Sequence, residues 1–254
     1  MSILISIVTV TLNDEYGLKN TYQSILGQIG AEKINISSDF EWVVIDGFSS
    51  DGTRAFLKDL KAEFKITYLS EHDLGIFNAM NKGHQLASGK YVLYMNSGDV
   101  FFDQFVIDSF MPYLKTYDLM LVAGKVQLIW GESKSIKTLK PWVCHQSVFI
   151  PKTILKNNFF DEKLKVYGDL ALWKVLKIKG LFNVHRVDRI VATFTMGGVG
   201  NSPHNLFNRA KERIIVGKQF GDRVPVFLRL CDAIVKYLLW RMFGLSSYYK
   251  YIMK

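Results

Sequence analysis

The feature that most constrains this chain is an alternation that fills its first 100 residues. Short apolar runs rich in β-branched residues end in polar or glycine-containing turns, and stretches with helical spacing follow. Ile3 to Val10 closes on Thr11-Leu12-Asn13-Asp14, and Trp42 to Ile45 closes on Asp46-Gly47. Ile66 to Leu69 leads into Ser70-Glu71-His72-Asp73, and Tyr91 to Met95 closes on Asn96-Ser97-Gly98-Asp99. Between these runs, Leu18 to Leu26, Thr53 to Phe64 and Asn78 to Leu86 read as helices, the last stopped by Ser88-Gly89. The alternation predicts an α/β fold, a mainly parallel central sheet flanked by helices. In such sheets ligands bind beyond the carboxyl ends of the strands. Thr11, Asn13, Asp46 and Asp99 all fall at that rim.

Further on, Leu119 to Trp130 reads as a strand, Gly131 to Ser135 as a hairpin turn, Asp169 to Ile178 as a short helix and Val187 to Phe194 as another strand. After Pro203 the pattern is helical, with breaks near Gly221 and Pro225. The expected division is a domain over residues 1–202 and a C-terminal amphipathic helical segment over 203–254. Within that segment Arg229, Asp232 and Lys236 fall on one helical face, among Phe227, Leu230, Ile234, Leu238, Trp240 and Phe243. A cationic strip with aromatic neighbours suits a helix lying in a bilayer interface. Packing on the main domain or on a second subunit is the alternative.

Net charge is +9, so the surface attracts phosphate, whether of nucleic acid, anionic lipid or a nucleotide. The Lys and Arg residues are dispersed, without the dense run of a nucleic-acid-binding arm, so no nucleic-acid partner is expected. Cys144 and Cys231 form no CxxC pair and no disulfide framework. The start lacks a basic n-region and a cleavage site, and no apolar run reaches the roughly 18 residues of a spanning helix. A reducing, cytoplasmic setting is the expectation.

Several pieces, in order, carry a resemblance. They are Ser6 to Asn13, Val43 to Thr53, Ser70 to Gly83, Tyr91 to Asp99, His145-Gln146, Tyr167-Gly168-Asp169 and Met196-Gly197-Gly198. Together they resemble the family 2 glycosyltransferases, which have the GT-A fold, and within them the group that builds bacterial surface polysaccharides of the colanic-acid and O-antigen type. The resemblance implies an inverting enzyme peripheral on the inner face of the plasma membrane. It would move a sugar from a nucleotide-diphosphate donor, UDP-linked, to a hydroxyl of a lipid-linked saccharide.

The resemblance also implies roles. Asp46 would contact the base or ribose of the donor, with Thr11, Asn13, Glu15, Asp73 and Asn96 around the nucleotide. Asp99 would hold Mn2+ or Mg2+ against the diphosphate, as the surviving acid of an Asp-x-Asp motif. Asp169 would take the proton from the acceptor hydroxyl. His145 and Gln146 would lie near the acceptor or a donor phosphate, and Gly197-Gly198 would let a loop pass close to the donor. Each residue has a plainer reading. Asp46 and Asp99 suit turns, Asp169 a helix N-cap, Glu15 and Asp73 surface charge, Lys82 an exposed helix position and His145 a core histidine. The chain also departs from the family pattern at Gly47, Asn96, Gly98 and Gly168. These gaps keep open an alternative, a non-catalytic module of the same fold that binds nucleotide or membrane.

Overall fold

The computed structural model describes residues 3–28, 39–62, 64–138, 140, 142–197, 202–221 and 225–253. The first half runs β1 (Ile5–Thr11), α1 (Glu15–Leu26), β2 (Phe40–Asp46), α2 (Thr53–Asp59), β3 (Lys65–Ser70), α3 (Ile76–Leu86) and β4 (Tyr91–Tyr94). After it come β5 (Val100–Phe101), α4 (Val106–Thr116), β6 (Leu121–Trp130), β7 (Ser133–Lys137), β8 (Val148–Pro151) and α5 (Lys152–Leu155). The chain continues through α6 (Gly168–Ile178), β9 (Val184–Thr195), α7 (Leu206–Gln219) and α8 (Val226–Met253), which kinks at Gly244 (φ 77°).

Among the described residues the strands form one sheet in the order β3-β2-β1-β4-β8-β6-β9-β5, with β7 paired on β6. The β3-β2-β1-β4 half is parallel throughout. The other half is mixed: β8 runs antiparallel to β4 and β6, while β9 runs parallel to β6. Every residue of β1 and of β2 is buried, as a central strand covered on both faces requires. Their side chains alternate between two layers. Ile5, Ile7, Trp42 and Val44 pack with Leu18, Tyr22 and Ile25 of α1 and Phe110 of α4. Val8, Val10, Val43 and Ile45 pack with Phe77 and Met80 of α3 and with Leu172, Trp173 and Leu176 of α6.

Some expected boundaries shift. The helix expected over Thr53 to Phe64 stops at Asp59, because Leu60 turns to extended backbone (ψ 129°) and packs against the first layer. The turn expected over Gly131 to Ser135 is only Gly131-Glu132, since Ser133 already pairs with Trp130 in β7.

The largest correction concerns the C-terminal segment. Arg229, Asp232 and Lys236 do share a helical face, but that face lies against α7 and not outward. Arg229 is 6% exposed, and its Nη1 donates to the carbonyl of Arg213. Lys236 pairs with Asp232 at 2.5 Å. Arg229 thus finds its partner across the hairpin on α7, while Asp232 and Lys236 satisfy each other within α8. The outward face of α8 is apolar, with Phe227, Leu230, Ile234, Leu238 and Met242 all exposed. Near its end Tyr248 and Tyr249 join Met196 and Leu206 in a third apolar cluster, and Trp130 of β6 packs on Tyr249. No described helix is long and apolar enough to cross a membrane.

Candidate active site

Three loops meet at the carboxyl edge of β1, β2 and β3. Thr11 ends β1 level with Asp46, and its carbonyl accepts from Gly47 N at 2.9 Å. Asn13, at φ 51°, ties the first loop to the second: its N–H donates to Ser49 Oγ at 2.7 Å, and its Oδ1 accepts from Ser50 N at 2.7 Å. Asp46 is fully buried, accepting from Ser49 Oγ at 2.5 Å and from Ser70 Oγ at 2.6 Å. Its carboxylate therefore knots the β2 and β3 loops together and faces the serines. The Thr11 hydroxyl beside it is buried without a hydrogen-bond partner.

Asp73 accepts from Gly75 N at 2.9 Å, and its carboxylate closes over Gly47. Lys82 pairs with Glu71 at 2.7 Å and donates to His72 O at 3.0 Å, which secures the β3 loop from α3. Glu15 pairs with Lys19 at 2.6 Å on the surface of α1.

Sequence reasoning missed Phe48. It holds φ 68°, a backbone region where a bulky residue is strained, yet its ring is 41% exposed. The His72 ring lies 4.6 Å from it, centroid to centroid, and the Arg54 guanidinium stands 4.2 Å from its centroid. The available signal was an aromatic residue inside a turn otherwise made of Gly, Ser and Asp.

A second group forms beyond β4. Asn96 N donates to Asp99 Oδ2 at 2.9 Å, closing a tight turn in which Gly98 sits at φ 88°. Side chains are strained at that φ, which explains a glycine between Ser97 and Asp99. The Thr21 hydroxyl of α1 donates to Asp99 O at 2.8 Å and accepts from Gly98 N at 3.0 Å. Ser97 Oγ donates to the Asp14 carboxylate, joining this turn to the β1 loop. Burial pushes the Asp99 carboxyl up to about 6; the nearby His145 and hydrogen bonds from Asn96 and Gln146 oppose that rise.

His145 lies in a short turn just before β8 and connects this loop to α6. Its Nε2 is 3.4 Å from Asn96 Nδ2, and its Nδ1 is 3.2 Å from Asp169 Oδ2. The tautomer with a proton on Nδ1 satisfies both contacts, donating to Asp169 and accepting from Asn96. Asp169 is the second residue of α6 and not its cap; the cap position is Tyr167, which makes no side-chain cap bond. Trp173 of the same helix donates to Val143 O at 3.0 Å, pinning α6 beside the His145 turn. Gly168 stands where Phe77 leaves no space: an added Cβ would lie 2.6 Å from its ring. The acid absent there is sterically excluded. Gln146 accepts from Cys144 Sγ at 2.7 Å, and burial drives that thiol well above its ordinary range, which removes it as a nucleophile.

The donor set for a divalent cation can be tested on the same atoms. Among the described residues, no group of three or more His, Cys, Asp and Glu is arranged to hold a metal. Asn96 Oδ1, however, is buried without a partner, close to the buried Asp99 carboxyl and the His145 ring. A hard cation accepts carboxylate and amide oxygens and completes its shell with water or phosphate. The residues present fit such an ion as a partial site.

Asn96, Asp99, His145, Gln146 and Asp169 thus form one connected cluster. Thr11, Asn13, Asp46 and Asp73 form a neighbouring one, joined to it through Asp14 and Ser97. Gly197, at φ 130°, instead lies near the Tyr249 hydroxyl of α8, and Gly198 lies outside the described residues.

The family model described as "Glycosyl transferase family 2" matches residues 6–173. The chain is similar to the "PGL/p-HBAD biosynthesis glycosyltransferase" of Mycobacterium tuberculosis (strain ATCC 25177 / H37Ra), with 27% identity over 94% of this chain and 90% of that protein. Among solved structures it is similar to the mannosyltransferase PcManGT from Pyrobaculum calidifontis in complex with GDP-Man and Mn2+. There the TM-score is 0.67, with 13% identity over 98% of this chain and 74% of that one. It is also similar to S. aureus TarS 1-349 in complex with UDP-GlcNAc, at TM-score 0.64 and 14% identity over 94% of this chain and 73% of that one. Against the longer TarS chain, this chain spans 44% of the length. These structural likenesses carry the fold.

Proposed function

The chain belongs to glycosyl transferase family 2 and is a glycosyltransferase, and from that premise we propose that it inverts the anomeric centre of a UDP-linked sugar as it passes it to a hydroxyl of a lipid-linked saccharide. The observation that carries this reading is the line from Asp99 and Asn96 through His145 to Asp169. One imidazole ring thereby links the residues we read as the phosphate-side group to the residue we read as the base.

In this reading Asp169 takes the acceptor hydroxyl proton as that oxygen attacks the anomeric carbon. Its Oδ2 is held by His145, and Oδ1 accepts from Leu170 N at 2.7 Å, so the carboxylate is aimed by two contacts. Displacement from the face opposite the leaving diphosphate inverts the configuration. Asp99, with Asn96 Oδ1 beside it, would hold Mn2+ or Mg2+, which when bound neutralises the charge growing on the departing nucleoside diphosphate. Asn13, Asp46 and Asp73 shape the nucleotide cradle, and Phe48 offers a ring for the base. The nucleotide complexes of the two structural neighbours support a nucleotide-sugar donor.

A cell-envelope glycan intermediate is the acceptor we favour. This choice rests on the resemblance of the motifs to the colanic-acid and O-antigen group; the relatives found are named for PGL/p-HBAD biosynthesis instead. The outward apolar face of α8 supports a lipid surface as the place of work, with the helix lying flat in the interface.

The test is incubation of the protein with UDP-sugars, Mn2+ and membrane lipid extract, following UDP release and sugar incorporation into lipid. Turnover should require the cation, and Asp99→Asn should weaken Mn2+ binding. Asp169→Asn should lower turnover by about 100-fold or more while UDP binding persists. Full transfer by Asp169→Asn would remove it as the base.

A further inference from the structure

α6 begins without a side-chain cap of its own. The first N–H groups of any helix lack partners within the helix, and an anion placed there is stabilised by the helix dipole. Inside the helix Asp169 Oδ1 accepts from Leu170 N at 2.7 Å, and a second anion, from elsewhere in the chain, holds the backbone just before the first turn. Glu212 of α7 is 8% exposed, and its Oε1 accepts from Lys165 N at 2.7 Å. Its Oε2 accepts from Val166 N at 2.9 Å and from Tyr167 N at 3.1 Å. These three consecutive amides lead directly into the turn that carries Asp169. Asp169 serves none of these three: its Oδ1 accepts from Leu170 N and its Oδ2 faces His145.

Three charge-assisted bonds on one buried carboxylate fix the backbone that enters α6. Gly168, pressed against Phe77, leaves the next residue little room to adjust. The position of the Asp169 carboxylate relative to His145 therefore depends on where Glu212 holds Lys165 to Tyr167. We infer that Glu212 is a positioning residue for Asp169, acting on the reaction from a helix beyond the part of the chain that the family model covers. The inference rests on the reading of Asp169 as the base. It makes the α7–α8 hairpin part of the catalytic unit.

The experiment is a double-mutant cycle on UDP release from whichever of UDP-glucose, UDP-galactose and UDP-N-acetylglucosamine is turned over. Glu212→Gln keeps the side-chain volume but loses the charge and one acceptor. It should lower kcat about tenfold, and Glu212→Ala about 100-fold, with donor KM and UDP affinity unchanged. In an Asp169→Asn background neither substitution should lower the residual rate further, because groups acting as a unit are non-additive. The same loss in both backgrounds, or a change confined to KM, would overturn the inference. Full activity of Asp169→Asn alone would instead overturn the base assignment beneath it. If none of the three donors is turned over, amide hydrogen exchange decides. Glu212→Gln should speed exchange at Leu170 and Ala171, in the turn that holds Asp169, and unchanged rates there would refute it.

Discussion

His145 Nδ1 stands 3.2 Å from Asp169 Oδ2, a contact between residues 24 apart that joins the turn before β8 to the helix α6. The other ring nitrogen faces Asn96, so this imidazole is the mechanical link between the two ends of the proposed reaction. A satisfied core histidine would make the same two contacts, and kinetics separates the two readings. Replacing it with Gln should lower kcat by about 10-fold or more, since partners that orient a reacting or metal-binding group are worth about 10–100-fold. Steady-state kinetics checks this, with circular dichroism to confirm the fold.

Phe48 combines a left-handed backbone with an exposed ring. Phe48→Gly should relieve about 1 kcal/mol or more of backbone strain and raise the unfolding midpoint. The same change should weaken UDP binding by about tenfold, because stacking on an aromatic contributes about 1–3 kcal/mol per base. Calorimetric titration of UDP beside a thermal melt separates the two effects. A higher melting temperature with unaltered affinity would reduce Phe48 to a strained surface residue.

His84 of α3 is buried against Tyr94, whose hydroxyl lies 3.1 Å from Nδ1. Burial, with help from the charge of Lys152, lowers its pKa from 6.5 to about 4. The unfolded chain binds the proton more readily, so the contribution is fully present above pH 6.5 and is lost as pH falls toward 4. In total it amounts to about 3 kcal/mol. Urea unfolding at a series of pH values should show this loss in the native chain, and a flatter profile in His84→Gln.

The outward face of α8 should bind lipid. Ile234→Asp combined with Leu238→Asp places two carboxylates on it, and should lower co-sedimentation with anionic phospholipid vesicles by about tenfold or more. UDP binding should be retained. A wild-type protein that ignores vesicles but dimerises through this face would replace lipid with a second copy as its partner.

The sequence by itself determined the layered fold and the rim where its polar loop residues gather. Continuous apolar runs rich in β-branched residues, broken by stretches of helical spacing, leave few options other than a sheet covered on both faces, and strand ends are where polar loop residues must collect. It also named Asp99, His145 and Asp169 one by one. Only the tertiary structure decided their relationship, because a hydrogen bond from His145 to Asp169 depends on how α6 settles beside β8, which no local pattern encodes. The same holds for Glu212, an unremarked glutamate on a helix until folding brings it to three amides of a distant loop. It holds equally for the charged strip of α8. Spacing put Arg229, Asp232 and Lys236 on one face, but that this face turns inward shows only once α8 packs on α7, where the Arg213 carbonyl receives the Arg229 guanidinium.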